Sequence, residues 1–307
     1  MLFTVALCTH NHAARLRQTL LDLQRLEAPK SAWELLIVDN GCTDETPALL
    51  AACEWPLNWN VRVAREPRLG LSNARNRAIR SASGEYLVFI DDDETPIPTW
   101  LKAYEKLVLA KSPDAFGSRI EVMFADERPA WLADELLGFL GQLDRSRDTI
   151  RLSDPRDFFH GGNFGIRKSV CDKIGDFDTD LGRTGSNNTG GEEVDFYRRL
   201  LGQGLNVWWT PDATIYHRVQ ADKLKRSYFR DLHYCQGWIE GTRARAGRPR
   251  IPPPYLYGQL ARAVAALVRK WRTSGRHATV RAEMNVSYFV GYLFGWVLGD
   301  QSRVPRA

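Results

Sequence analysis

Several things are scarce in this chain, and each scarcity narrows its class. Cysteine is one: Cys8, Cys42, Cys53, Cys171 and Cys235 are the only five in 307 residues. They are odd in number, scattered and in no metal-ligand spacing. That excludes a disulfide-stapled scaffold or a zinc module and makes a reduced, cytosolic setting the expectation. No basic stretch precedes the apolar run Leu2 to Leu7, which is too short for a signal peptide. Asn285-Val286-Ser287 fits a glycosylation acceptor and is discounted for want of such a signal. Met284 to Gly299 carries no formal charge but falls short of the ~20 residues a spanning helix needs. Internal repeats and low-complexity tracts are absent. So is a glycine- and lysine-rich phosphate loop after the first apolar run, where Thr9 to Arg15 offers none. Its absence counts against a Mg-dependent nucleotidyltransferase, whose clustered aspartates would otherwise look similar. No nucleic-acid-binding module is recognised, so no nucleic acid is expected as a partner.

What is present describes an ordinary globular chain, 44% hydrophobic and 26% charged, long enough for a well-buried core. Lysine plus arginine number 42 against 37 acids, a net charge of +5. That mild basicity suits a phosphate-bearing ligand or an anionic surface and chooses between none of them. Phe3 to Cys8, Glu34 to Val38, Val61 to Ala64 and Tyr86 to Ile90 read as strands. Residues 12–27, Thr43 to Cys53 and Leu71 to Ala82 read as the helices between them. Strands that are nearly all apolar, alternating with helices, predict an α/β fold with a mostly parallel sheet covered on both faces. Beyond it, Trp100 to Ala110 and Glu192 to Leu201 read as helices and Ala115 to Phe124 as a strand. Asn206 to Tyr216 reads as two short strands around Pro211, and Leu181 to Gly191 as a loop. From about Arg218 cations become dense and acids sparse. There Leu256, Leu260, Val264, Leu267 and Trp271 form an apolar stripe among Arg262, Arg269, Lys270 and Arg272.

The chemistry concentrates where strands end. Y-L-V-F-I runs straight into Asp91-Asp92-Asp93-Glu94. Adjacent carboxylates repel and are expensive to desolvate. Taken alone the cluster reads as a solvated turn or a helix cap, with Glu94 capping the next helix. At the carboxyl end of a strand it also suits a divalent cation that bridges to phosphate oxygens. Asp39 ends the second strand in V-D-N-G-C-T-D, where Thr43 or Asp44 can start a helix. In G-L-S-N-A-R-N-R-A, Ser72 or Asn73 can cap the helix, and Arg75 with Arg77 forms either an anion site or a solvated face. Glu192, Glu193 and Asp195 follow Gly190-Gly191. They are either helix-dipole partners or include a general base. His217 ends T-I-Y-H, placed to face the same crevice and donate a ring nitrogen to a metal.

In order and spacing these pieces resemble family 2 glycosyltransferases with the GT-A fold, over roughly residues 2–220. The resemblance rests on C-T-H-N-H (Cys8 to His12), V-D-N-G-C-T-D (Val38 to Asp44), G-L-S-N-A-R-N-R-A (Gly70 to Ala78) and F-I-D-D-D (Phe89 to Asp93). It continues in G-G-N-F-G-I-R (Gly161 to Arg167), G-G-E-E-V-D-F (Gly190 to Phe196) and P-D-A-T-I-Y-H (Pro211 to His217). It implies a nucleotide-sugar-binding half, 1–95, and an acceptor-side half, 96–220, followed by a basic helical segment, 221–307. It implies an inverting, metal-dependent transfer from a nucleoside-diphosphate sugar, UDP most commonly, to a sugar, lipid-linked or other hydroxyl acceptor in bacterial polysaccharide, cell-wall or glycoconjugate assembly. A non-catalytic sugar-nucleotide-binding module is the alternative. Residue by residue, the resemblance puts Thr9, Asn11, Asp39, Arg75, Asn76, Asp91 and Asp92 on the nucleotide sugar. Asp93 and His217 fall on Mn2+ or Mg2+, Glu193 on the catalytic base with Glu192 beside it, and Gly161, Gly162 and Asn163 on the acceptor side. Glu193 stands where the family usually has aspartate, and Cys8 where it often has proline. The Leu181 to Gly191 loop is expected to close over the donor. Two readings stay open for the C-terminal helices. Residues 255–299 make a peripheral contact with an anionic membrane, on the inner face of the plasma membrane, or the helix at 284–299 packs on the catalytic domain or on a second subunit of a homodimer.

Overall fold

Apolar runs without polar alternation become strands buried on both faces, and the first half of this chain is built from them. A computed structural model describes residues 1–182 and 190–299. β1 (Phe3–Thr9), α1 (Ala13–Leu23), β2 (Trp33–Asp39), α2 (Thr46–Ala52), β3 (Val61–Arg65), α3 (Leu71–Ser81) and β4 (Tyr86–Asp91) follow in order. The strands pair in parallel in the order β3-β2-β1-β4. Side chains alternate faces along a strand. Phe3, Val5 and Leu7 therefore join Leu16 and Leu20 of α1 on one face, while Ala6 and Cys8 join Ala74 and Ala78 of α3 on the other.

The second half completes the sheet. β5 (Glu94–Pro96), α4 (Trp100–Lys111), β6 (Ala115–Phe124), β7 (Ile150–Leu152), β8 (Phe164–Arg167), α5 (Cys171–Ile174), α6 (Glu192–Gly202) and β9 (Val207–Val219) follow. The sheet continues β4-β8-β6-β9-β5, with β7 also on β9. β8 runs antiparallel to β4, and β5 antiparallel to β9. Three local expectations are corrected. Asn206 to Tyr216 is not two strands: from Val207 on it belongs to the single strand β9, whose proline is bypassed by side-chain bonds. The Thr210 hydroxyl accepts the Asp212 N–H (3.4 Å), and the Thr214 hydroxyl donates to the Pro211 carbonyl (3.0 Å). Glu94 does not cap a helix; it opens β5 and is buried. Ser72 and Asn73 do not cap α3, since Gly70 holds that position and the two side chains bond the Leu181 and Leu69 carbonyls.

Strand register aligns the chemistry. Thr9 lies opposite Asp39, and Cys8 opposite Asp91, so three strand ends finish level with one another. Across β5 and β9, Glu94 lies opposite His217. Contacts divide the chain into two units: Met1–Met123 with Gly141–Arg218, and Phe124–Leu140 with the described residues from Val219 on. The second unit is built on α7 (Arg226–Arg245), α8 (Pro254–Ser274) and α9 (Val280–Leu298). α7 and α9 meet along a glycine seam. A Cβ on Gly237 or Gly241 would overlap the backbone of Tyr288 or Tyr292, and one on Gly291 or Gly295 the backbone of Tyr234 or Trp238. Among the described residues, no helix is long and apolar enough to cross a membrane.

One buried amide locks the second half of the sheet. Asn163 Oδ1 accepts from Trp100 Nε1 (2.9 Å) and Tyr104 Oη (2.7 Å), and its Nδ2 donates to the Arg119 and Ala213 carbonyls (2.8 Å each). The side chain expected on the acceptor side is thus fully buried and fully bonded. Asn163→Ala strands two buried donors and two carbonyls. It should cost about 2–4 kcal/mol, read as a lower denaturant midpoint at unchanged slope.

Candidate active site

The site grows from the loop after β1. Asn11 takes a left-handed backbone (φ 55°), which asparagine tolerates better than most residues. Its Oδ1 then accepts the N–H groups of Thr43 (2.7 Å) and Asp44 (3.2 Å), tying the first strand loop to the second. Asp39 Oδ1 accepts the Cys42 N–H (2.8 Å), which holds that carboxylate at the end of β2. The Thr9 hydroxyl donates to Asp92 Oδ2 (2.6 Å), and His12 Nδ1 lies 3.2 Å from the same oxygen. The hydrogen bond to Asp92 raises the His12 pKa against the opposing effect of burial. The sequence pattern does not single out His12, although it lies in C-T-H-N-H. Its partner is eighty residues away, and no periodicity announces such a contact.

The four acids after β4 have separate surroundings. Asp91 Oδ1 lies 3.7 Å from Arg75 Nη2. Asp92 is nearly buried on Thr9 and His12. Asp93 Oδ2 lies 3.4 Å from His217 Nε2. Glu94 Oε2 accepts the Asp91 N–H (2.8 Å). Burial, then the charges of Asp91 and Asp93, pushes the Glu94 carboxyl well above its usual range. Glu94 is a second residue that the sequence pattern does not assign to the site.

Arg75 is the centre of the buried layer. Expected on the nucleotide, it is instead buried, with Nη1 donating to Glu192 Oε1 (2.8 Å) and Nη2 to the Gly161 carbonyl (3.0 Å). The rings of Phe89, Phe164 and Phe177 surround it at 5.6–6.0 Å. Burial opposes its charge, but Glu192, Asp91 and Glu193 outweigh that, and its pKa stands above the ordinary value. Burial likewise raises Glu192; Arg75 pulls it back and Glu193 pushes it up again. Asn76, also expected on the nucleotide, spends its amide on the backbone N–H and carbonyl of Phe177 (2.8 Å each).

α6 is capped by Gly191, whose φ of 110° only glycine adopts easily. Glu192 faces inward to Arg75. Glu193 is half-buried, and its Oε2 has no hydrogen-bond partner among the described residues. Most of the expected closing loop, residues 183–189, lies outside the described residues. Gly161 and Gly162 lie beneath the acids: a Cβ on the first would overlap the Arg75 guanidinium, and on the second the Glu94 carboxylate. Among the described residues no three His, Cys, Asp or Glu side chains are gathered as a ready metal cage. The pair Asp93 and His217 nevertheless fits a hard divalent cation, since such ions bind through one or two protein groups and fill the remaining positions with water and phosphate oxygens.

Known proteins match both the sequence and the fold. Succinoglycan biosynthesis protein ExoM of Rhizobium meliloti (strain 1021) is 20% identical over 239 residues, 77% of this chain and 73% of that protein. The mannosyltransferase PcManGT from Pyrobaculum calidifontis, solved with GDP-Man and Mn2+, superposes with a TM-score of 0.58. It is 18% identical, and 94% of this chain and 85% of that one align. S. aureus TarS 1-349, solved with UDP-GlcNAc, gives a TM-score of 0.52 at 17% identity over 72% of this chain and 59% of that one. At such identities the solved structures speak for the fold, which is GT-A. The sequence model described as glycosyl transferase family 2 matches residues 4–175, more than half of the length, and the chain belongs to that family.

Proposed function

We propose that this glycosyltransferase moves a sugar from a nucleoside-diphosphate donor, UDP first among the bases, to an acceptor hydroxyl with inversion at the anomeric carbon. The observation that carries the reading is the approach of His217 to Asp93 at 3.4 Å, at the carboxyl end of the sheet. Mn2+ or Mg2+ bound there supplies charge stabilisation for the departing diphosphate. PcManGT, solved with Mn2+ and GDP-Man, supports a metal. TarS, solved with UDP-GlcNAc, supports a uridine donor.

In this reading residues 1–95 hold the donor and 96–220 meet the acceptor. Asp39, Thr9 and Asn11 contact the nucleoside, and Asp91 with Asp92 lines the ribose and donor-sugar side. Arg75 acts from below, fixing Glu192 and Asp91 rather than touching the nucleotide. Glu193, its neighbour already spent on Arg75, takes the proton from the acceptor hydroxyl. The hydroxyl oxygen attacks from the face opposite the leaving diphosphate, and a single displacement inverts the centre. Gly161 and Gly162 let the acceptor side approach the acids closely. The acceptor class extends to sugars and lipid-linked glycans, in line with the succinoglycan role named for ExoM. Peripheral membrane contact through residues 255–299, and a homodimer, belong to the same reading.

Two experiments test it. Asp93→Ala should lose manganese-dependent donor binding in a calorimetric titration, while the metal-independent thermal midpoint of the protein stays unchanged. Glu193→Gln should bind the donor as the parent does and transfer about 10²- to 10⁴-fold more slowly. Glu192→Gln should differ from it by losing stability as well, since it removes the nearer of the two carboxylates paired with Arg75. Full turnover by Glu193→Gln would overturn the assignment of the base.

A further inference from the structure

One helix of the second unit is apolar on a face that no described residue covers. α8 spans Pro254–Ser274. Of its side chains only Leu256 is buried. Tyr257 (53% exposed), Val264 (42%), Val268 (38%) and Trp271 (60%) stand in the open. At about 100° per residue these positions, spaced seven, four and three apart, fall on one stripe. Arg272 borders it at about 70° from its centre, Arg269 and Lys270 lie about 130° round on either side, Arg262 is on the far face, and the helix contains no aspartate or glutamate. The bias extends on both sides: between Glu240 and Glu283 the chain has ten arginines and lysines and no acid.

We propose that this face of α8 docks on an anionic lipid surface, the axis of the helix lying along the membrane. The inference rests on the reading of residues 255–299 as a peripheral membrane contact and narrows it to one helix. α9 is the more apolar helix, but its glycine seam is used against α7, so apolarity alone points to the wrong element. The stripe of α8 is an interfacial pattern. Tyr257 and Trp271 pair an apolar ring with a polar tip that suits the headgroup level. The long stem of Arg272 can lie along the edge of the apolar band while its charge reaches phosphates. Charge complementarity selects this occupant over a second copy of the chain. Two copies of α8 brought together would add four cations each, with no acid on either helix to offset the like charge. An anionic headgroup layer offsets all of them, and more strongly at low salt.

The test is flotation of the full chain with phosphatidylcholine vesicles, with and without phosphatidylglycerol. The intact chain should float with the mixed vesicles only, and salt should release it. Val264→Glu/Trp271→Glu and, separately, Arg269→Glu/Lys270→Glu should each lower the partition coefficient by at least about tenfold. Lys106→Glu/Arg156→Glu, which removes as much charge from exposed positions of the first unit, should leave it within about twofold of the parent. Matching thermal melts show that the variants fold, and the Arg269/Lys270 pair keeps the stripe itself intact. No flotation of the intact chain overturns the membrane reading as a whole. Flotation that survives both α8 variants overturns only the assignment to α8. A dimer in solution that Val264→Glu/Trp271→Glu splits into monomers also overturns it, by making the face an interface between copies.

Discussion

Arg75 is a full charge held almost out of water, and the geometry of the site depends on satisfying it. Burying a guanidinium alone is prohibitive, and removing one partner of such a pair costs about 3–5 kcal/mol. Here the charge is met by Glu192 from α6, by Asp91 from the end of β4 and by the Gly161 carbonyl. One side chain on α3 thereby sets the distance between the acids at the strand ends and the helix that carries the second acidic pair. Three phenylalanine rings close around it and keep out the water that would weaken those contacts. The same demand accounts for Gly161, where a side chain would occupy the volume of the guanidinium.

The run of four acids is tolerable because no two of them share one solution to the same problem. Asp91 leans on Arg75, Asp92 on Thr9 and His12, and Asp93 faces His217. Glu94 is different in kind. Burial, then the charges of Asp91 and Asp93, pushes its pKa well above the usual carboxylate range. Gly162 is its counterpart, leaving room for the carboxyl. The G-G pair therefore reflects two packing constraints beneath the acids as much as access from above them.

The parallel half of the fold was legible in the sequence because its strands are buried on both faces, and such runs cannot be mistaken for solvated loops. The antiparallel half was less so. β5 is three residues long and β7 is another three, too short for any period to register. Pro211 argued for a break that local side-chain bonds make unnecessary. In the site, residue types at strand ends were readable, since an apolar run that stops at a carboxylate sets charge on the rim of the sheet, where ligands bind. Partners were not. Thr9 finds Asp92 and Arg75 finds Glu192 across eighty and more residues, and only register joins them. Arg75 and Asn163 show the cost: both look like exposed polar recognition groups in a motif, and both are interior groups with their hydrogen bonds spent.

The adjacent glutamates of α6 meet one constraint in different ways. Successive side chains on a helix project about 100° apart, so a guanidinium beneath the first turn can engage Glu192 or Glu193 but not both in the same way. Glu192 takes the inward position and pairs with Arg75 at 2.8 Å. Its carboxylate is then structural: losing it strands a buried cation. Glu193 adds its charge to the hold on Arg75 and raises Glu192, at a helix start whose backbone N–H groups favour negative charge. It sits two residues after Gly191, where an added Cβ would meet no described atom within 4 Å. A base needs an unspent oxygen within reach of a hydroxyl, and a longer side chain than aspartate extends that reach by one methylene. In the proposed mechanism Arg75 claims the first glutamate and the second serves as the base.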